Sequence, residues 1–490
     1  MKKATLFVLC CLVFVSASFG KFGMKDSVFR KYDIRGIVGS ELNLDNVYDL
    51  GKAIAYYFLQ NKPETKTVVL GMDGRTHSPE MKKHLCNALL DSGLDVIFIG
   101  VCTSPVVYFS LFNEPVDAGL MITASHNSKE YNGIKICLDK KMVWGQEVQK
   151  IKELFQDSRC IETDKKGSYT EKNIIDPYIN WMKEHFPHLV GMDLSAVVDC
   201  GNGAAGAVMP QLVEKMEWKG VKLLFAEVDG NYPNHEADPT VEKNMQDVKK
   251  VLSESDMQVG IGFDGDCDRM APMTKSGELV SGDKLMAIYA KPFLKKHPNA
   301  PIVFDIKASA GLIDFVKTCG GTVCLSPSGH SIIKKYMKEN NALLGGELSC
   351  HFFFADRYFG YDDGVYAMLR LFEIMLESKK SLQQLVADFP KKCSTPEFRI
   401  HCPDEKKREV VKEAKTLFAN REHVNVITID GVRATMEYGW GILRVSNTQP
   451  AVTLRLESDT KEGLEKVKED FYNVMKPHFD DAFLKEQIGM

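Results

Sequence analysis

The sequence predicts an α/β protein, and three observations carry that prediction. Short β-branched runs alternate with longer amphipathic stretches, the pattern of βα units built on mostly parallel sheets. Three apolar runs, at 67–75, 195–203 and 301–309, meet an aspartate (Asp73, Asp199, Asp305) and pass into polar or glycine-rich residues. Each is followed by a second strand that also ends in polar chemistry, at 118–126, 259–266 and 343–349. The chain therefore reads as one structural unit used three times, at divergent sequence and irregular spacing. Open α/β sheets collect ligands beyond the carboxyl ends of their strands, so these polar loops are where function is expected.

The 490 residues leave room for about three or four domains of ~100–150 residues. A hydrophobic content of 44% and a charged content of 26% are those of an ordinary globular chain with a full core. The net charge of −4 gives no general attraction to nucleic acid or anionic lipid, and no nucleic-acid partner is expected. A local basic pocket for a phosphorylated metabolite is compatible with that total. The 13 cysteines, an odd number running from Cys10 to Cys402, contain no C-x-x-C pair, which fits free thiols in a reducing compartment. The N-terminus points the other way: Lys2 and Lys3 precede the apolar run Ala4–Val15, then Ser16 and Ala17, in the form of a secretory signal. No other segment is long and apolar enough to span a membrane.

The segment Gly262-FDGDCDR-Arg269 holds the densest chemistry. Asp264, Asp266 and Asp268 recur at every second residue of a tight loop, so their carboxylates can converge on one cation, and hard oxygen ligands suit Mg2+ or Mn2+. An Asp-rich turn is the plain structural alternative. A calcium EF-hand fails, because Arg269 stands where its glycine belongs and Lys275 where its bidentate Glu belongs. Arg269 beside a metal suggests an anionic oxygen shared by both, such as a phosphate. A competing signal is Gly201-NGAAG-Gly206, which fits a dinucleotide-binding fingerprint after a strand, with Glu227 and Asp229 downstream. Taken alone it supports an NAD-dependent oxidoreductase, but glycine serves many tight strand-to-helix turns.

Three further segments carry polar groups in unusual density. Thr123-ASHN-Asn127 follows an apolar strand, with Lys135 eight residues beyond it. Ser125 is a weak nucleophile without activation, and no G-x-S-x-G elbow is present; a phosphate-carrying serine near a metal would give the loop another purpose. The plain alternative is a strand-end turn capped by Asn127 and Ser128. Arg444, Ser446, Asn447 and Thr448 lie within five residues and could cradle a phosphate. Near the other end, Phe29-RKYDIRG-Gly36 adds Arg30, Tyr32 and Arg35. Either of the last two segments could equally be a solvated surface loop.

Together these segments resemble the α-D-phosphohexomutases, in particular their bacterial phosphomannomutase/phosphoglucomutase branch. The resemblance runs in the family's order from Phe29 to Glu457. The family's phosphoserine loop is matched by Thr123–Asn127 with Lys135, and its metal loop by Asp264–Arg269. Its sugar-recognition loop is matched by Gly346-ELSCH-His351, with Glu347 and Ser349 facing the hexose hydroxyls, and its phosphate loop by Arg444–Thr448. Lys307 and His330 are assigned by the same pattern to the active cleft, and Tyr32 and Arg35 to substrate binding. Three positions depart from the pattern: Ser128 where proline is usual, Cys267 where glycine is common, and Cys350 in place of a glycine. Cys350 is expected to put a side chain near the hexose and so to bear on sugar preference.

The resemblance implies a phosphohexomutase that interconverts hexose 1-phosphate and hexose 6-phosphate, of mannose and/or glucose. A phosphoserine at Ser125 and a bisphosphate intermediate would carry the phosphoryl group. It implies one Mg2+ per chain, held by Ser125, Asp264, Asp266 and Asp268, and a hexose bisphosphate as activator. Lys135 and Arg269 would supply positive charge and His330 would shuttle the proton. It also implies three related mixed-sheet α/β domains at 24–172, 173–278 and 279–391, then a smaller α+β domain at 392–490, all meeting at one cleft. The expected chain is a monomer or dimer acting on hexose phosphates. A phosphoglucosamine mutase is the nearest alternative; an NAD-dependent oxidoreductase, a metal-dependent phosphatase on the same aspartates and a non-catalytic binding protein are more distant ones. Phosphorylated metabolites belong to the cytosol, so the functional protein is expected to be cytoplasmic and to start near Met24. It would be exported if residues 1–23 act as a leader.

Overall fold

The computed structural model describes residues 23–446 and 450–490; the signal-like segment and the pair Asn447 and Thr448 lie outside them. The first sheet holds β1 (Ile34–Ile37), β2 (Thr67–Met72), β3 (Asp95–Val101), β4 (Ala118–Ile122), β5 (Tyr131–Leu138), β6 (Lys141–Met142) and β7 (Tyr169–Glu171). The second holds β8 (Ala196–Asp199), β9 (Val221–Leu224), β10 (Val259–Phe263) and β11 (Met270–Thr274). The third holds β12 (Pro301–Asp305), β13 (Thr322–Ser326), β14 (Leu344–Gly346) and β15 (Phe352–Phe354).

The repeat read from the sequence is present in the pairing. The sheets contain β5-β4-β2-β3, β11-β10-β8-β9 and β15-β14-β12-β13, one strand order three times. In each, the Asp-ended strand pairs parallel with both neighbours, and the second polar-ended strand then turns back into an antiparallel hairpin. The central strands are sandwiched on both faces, which is why β4 and β10 read as continuous apolar runs and are buried throughout.

The recurring aspartates fasten the loops that follow them. Asp73 accepts from the Arg75 N–H at 3.1 Å and from Ser78 Oγ at 2.9 Å. Asp199 accepts from the Gly201 N–H at 2.7 Å. Asp305 accepts from Ser328 Oγ at 3.1 Å and lies 3.3 Å from Lys307 Nζ. A strand-end carboxylate of this kind satisfies backbone and loop donors that the sheet no longer serves.

The fourth sheet is antiparallel: β16 (Cys393–Ser394), β17 (Phe398–His401), β18 (Asn425–Ile427), β19 (Val432–Met436), β20 (Gly439–Val445) and β21 (Ala451–Ser458). Helices Asp404–Ala419 and Lys461–Met475 pack on it, giving an α+β unit with its own core around Leu443, Leu454 and Phe471. One continuous core instead joins the other three units, from Val69 through Val198 to Phe304. The fourth unit meets the third through a small apolar contact of Ile306 with Trp440 and Ile442, and through Arg433, which donates at 2.7 Å to the carbonyls of both Ile306 and Ala308. Among the described residues no helix is long and apolar enough to cross a membrane, and the eleven cysteines are free thiols.

Candidate active site

A cleft of about 160 Å3 opens where loops of all four units converge. Its lining brings together Tyr32, Arg35, Ser125, Lys135, Asp268, Arg269, Lys307, His330, Glu347, Ser349, Arg444 and Ser446, residues separated by up to several hundred positions. Asp264 and Asp266 lie just behind the lining, fully buried.

The serine loop leaves β4 and turns at Ser125, whose φ of +50° puts a non-glycine residue in the left-handed region. Its hydroxyl donates to Asp264 Oδ2 at 2.9 Å, and its N–H donates to Thr123 Oγ1 at 2.9 Å. Arg35 holds the loop from one side, donating to the Ala124 carbonyl at 3.0 Å and to Asn127 Oδ1 at 2.7 Å. Arg75 holds it from beneath through the carbonyls of Ser125, Asn127, Ser128 and Tyr131. The metal loop approaches it backbone to backbone: a Cβ on Gly265 would lie 2.4 Å from the Ser125 carbonyl oxygen, so only glycine fits there.

The three aspartates offer carboxylate oxygens within 4.8 Å of one another. Their ionic partners are few. Lys135 Nζ lies 2.6 Å from Asp266 and 2.5 Å from Asp268, and His351 Nε2 stands 3.2 Å from Asp268 Oδ1. Burial works against the Lys135 ammonium, but Asp266 and Asp268 outweigh it and keep the group charged. Burial, then repulsion from Asp268 and Asp266, pushes the Asp264 carboxyl well above the usual range. Asp266 Oδ1 is buried and has no hydrogen-bond partner. Three carboxylates that repel one another, with a buried oxygen left over, fit a hard divalent cation bound by oxygen.

Around this centre the histidines divide into two kinds. His330 is buried, and burial outweighs its neighbour Asp362, 3.4 Å away, so its pKa is lowered and the ring is neutral. His126 is likewise pushed well down, by burial and then by Arg269 and Arg35. His351 is the opposite case: despite burial, Asp268 on one nitrogen and Glu347 at 3.0 Å on the other raise it to about 9. Glu347 is in turn lowered to about 2, because His351 overrides its burial.

Lys307 lies 3.1 Å from Glu397, and Arg444 donates to Asp430 at 2.8 Å. Asp430 also accepts the Ser328 N–H at 3.0 Å, tying the phosphate loop to the turn before His330. The Tyr32 hydroxyl donates to the Ser328 carbonyl. The candidates Asn447 and Thr448 fall outside the described residues.

Cys350 does not face the cleft. Its φ of +67° turns the side chain into the core, where it is 3% exposed. The Gly201–Gly206 loop makes no open cradle, because the N–H groups of Gly203, Ala204 and Gly206 donate to the carbonyls of Cys200, Gly265 and Gly203. Its glycines serve close packing: a Cβ on Gly203 would sit 2.9 Å from the Gly265 carbonyl. The structure adds Arg75 beneath the serine loop and His126, His351, Glu397 and Arg399 in the cleft lining. His126 and His351 stand inside the serine and sugar-recognition motifs, while Glu397 and Arg399 belong to no motif and are found only through the fold.

A four-unit α/β chain with an acidic cation loop facing a buried serine and a ring of cationic side chains is an enzyme of the phosphoryl-transferring class. Four family models match it: phosphoglucomutase/phosphomannomutase α/β/α domain I over residues 26–160, domain II over 176–277, domain III over 281–393 and the C-terminal domain over 397–474. A phosphomannomutase/phosphoglucomutase of Pseudomonas syringae pv. tomato is 39% identical over 454 residues, covering 92% of this chain and 96% of that one. A phosphoglucomutase of Neisseria gonorrhoeae is 37% identical, covering 92% and 97%. A phosphoglucomutase/phosphomannomutase family protein from Burkholderia thailandensis superposes with a TM-score of 0.84 at 32% identity, covering 93% of this chain and 99% of the other. The chain belongs to the phosphoglucomutase/phosphomannomutase family, and it is a mutase.

Proposed function

We propose that this mutase interconverts the 1- and 6-phosphates of a hexose, glucose or mannose, with Ser125 as the phosphoryl carrier. The observation that carries the reading is Ser125 Oγ, donated at 2.9 Å to the first of three convergent aspartates and opening onto a cleft walled by all four units. In the first half-reaction the bond from Ser125 Oγ to phosphorus breaks as the free hydroxyl of a hexose phosphate attacks. That hydroxyl's proton passes to a neutral base, for which the buried, uncharged His330 is the candidate. The resulting bisphosphate turns over in the cleft, and its other phosphoryl group returns to Ser125. Lys135 and Arg269 stand where they can balance charge on the transferring group. Mg2+, one per chain, would be held by Asp264, Asp266, Asp268 and the Ser125 oxygen; such an ion supplies charge neutralisation at the phosphoryl oxygens.

Arg444 and Ser446, with Asn447 and Thr448, are proposed to grip the phosphate that is not reacting, so that one clamp serves both sugar orientations. Glu347 and Ser349 would accept and donate to the hexose hydroxyls, and Tyr32, Arg35 and Lys307 would complete the binding wall. His351, held between Glu347 and Asp268, is placed to fix the sugar loop against the aspartates. A hexose bisphosphate would start the cycle on unphosphorylated protein. This chemistry draws on cytosolic metabolites, and a cytoplasmic location follows from it.

The test is an assay of purified protein with mannose 1-phosphate, glucose 1-phosphate and glucosamine 1-phosphate, each with Mg2+ and a bisphosphate activator. Formation of the 6-phosphates of mannose and glucose without release of inorganic phosphate is expected. Stoichiometric release of phosphate would make the protein a phosphatase, and a preference for glucosamine 1-phosphate would make it a phosphoglucosamine mutase.

A further inference from the structure

The metal loop is fastened by backbone donors from all three α/β units. The Gly265 carbonyl accepts from the Ala204 N–H at 2.9 Å, the Asp266 carbonyl from the Ser104 N–H at 3.0 Å and the Cys267 carbonyl from the Gly364 N–H at 3.1 Å. Ala204 and Gly364 have no side-chain donor to add. Ser104, from the first unit, has one: its hydroxyl also donates to Asp266 Oδ2. No step of the proposed phosphoryl transfer uses this residue.

The local sequence explains why both groups of Ser104 are available. Ser104 opens the helix Ser104–Asn113, with Thr103 as an extended N-cap residue and Pro105 in the first turn. The first N–H groups of a helix have no carbonyl one turn back to bond, so that of Ser104 can donate across to the metal loop. The hydroxyl is freed in the same way. Ser110, deeper in this helix, donates its hydroxyl to the Val106 carbonyl at 3.0 Å, as interior helical serines do. Ser104 has no such helical carbonyl behind it and turns to Asp266 instead. Both residues are fully buried, so bulk water does not compete for the contact.

The two oxygens of Asp266 are treated differently. Oδ2 takes the Ser104 hydroxyl and Lys135 Nζ at 2.6 Å, whereas Oδ1 is buried with no hydrogen-bond partner. One oxygen is saturated by donors and the other is left for a cation. From this division we propose that Ser104 is a positioning residue for the cation site, fixing the carboxylate plane of Asp266 so that a single oxygen is presented. Lys135 supplies charge, but it sits on a flexible stem and is shared with Asp268 at 2.5 Å. Ser104 grips Asp266 at carboxylate and carbonyl together, from a helix start that the backbone holds in place. The inference rests on the reading of the three aspartates as a Mg2+ site. It adds that a helix of the first unit sets how the loop of the second unit receives the ion.

Titration calorimetry with Mg2+ on the full chain tests this, comparing wild type with Ser104→Ala. The alanine variant should bind Mg2+ ~10-fold more weakly, the lower end of what losing a partner of a metal ligand costs. Ser104→Cys, which nearly keeps the volume and offers only a weak donor, should weaken Mg2+ in the same direction, and it carries the test if the alanine variant does not fold. The Mg2+ concentration giving half-maximal turnover should rise by the same factor, while KM for glucose 1-phosphate stays within about twofold. A merely structural serine would lower the unfolding temperature of the metal-free protein and leave the Mg2+ affinity where it was. The positioning role is overturned if wild type binds Mg2+, Asp266→Asn weakens it, and the Ser104 variants bind it within about twofold of wild type. If wild type binds no Mg2+, or Asp266→Asn binds it as wild type does, the metal reading itself fails and this inference with it.

Discussion

Arg75 Nη2 donates to the carbonyl of Ser125 at 2.8 Å, and the same guanidinium reaches the carbonyls of Asn127 at 2.6 Å, Ser128 at 2.7 Å and Tyr131 at 3.0 Å. Asp73, 3.1 Å from Arg75 Nε, balances the charge, and the pair is buried. One side chain therefore gathers four carbonyls of the serine turn, that of Ser125 with its left-handed φ included, while Arg35 holds the turn from the other side. Lysine cannot reproduce a planar fork of five donors. Arg75→Lys should lose about 2–4 kcal/mol of stability through the unpaired carbonyls, and kcat should fall at least ~10-fold because Ser125, the proposed carrier, is no longer held in position. Urea denaturation and steady-state rates check both, and a variant with wild-type rates would remove the positioning role.

Ser125→Ala deletes the proposed carrier and leaves the three aspartates in place. Activity should fall at least ~100-fold, since the covalent route is lost. Mass spectrometry of active wild-type protein should find the phosphate on the peptide containing Ser125. Full activity in the alanine variant would end the phosphoserine reading.

Much of this site was legible because local spacing alone forces it. Three carboxylates at every second residue of a short loop have little room except to converge, and they do. The aspartates at 73, 199 and 305 marked the strand ends, since a carboxylate there caps the loop that follows. What stayed hidden depends on partners far away in the chain. Asp268 and His351, or Lys307 and Glu397, meet only because separate units converge, and no local pattern encodes that meeting. Cys350 stayed hidden for a different reason: sequence adjacency to Ser349 says nothing about side-chain direction, and at its positive φ the thiol packs into the core.

Asp266 Oδ1 and Asp268 Oδ1 are both buried without a hydrogen-bond partner, but Asp268 Oδ1 has His351 at 3.2 Å. Asp266→Asn removes one ligand charge, so Mg2+ should bind at least ~10-fold more weakly and activity should fall with it. The fold should persist, with Lys135 still paired to Asp268 at its 2.5 Å contact. Metal titration followed by calorimetry and circular dichroism separates the two effects. Turnover that continues unchanged in EDTA would refute the metal assignment.

Cys350 tests whether the sugar loop tolerates the residue its backbone favours. At a φ of +67° a side chain is strained, and glycine would relieve about 1 kcal/mol. The thiol is also packed in the core, so removing it forfeits a similar amount, about 1 kcal/mol of buried apolar surface. Cys350→Gly should therefore change stability by less than about 1 kcal/mol in either direction. Because the side chain points away from the cleft, kcat/KM for the glucose and mannose phosphates should each stay within about twofold of wild type. Thermal unfolding and the two steady-state assays read this directly. A marked shift in the ratio of the two sugars would mean that Cys350 shapes the hexose pocket after all, and that the loop moves when substrate binds.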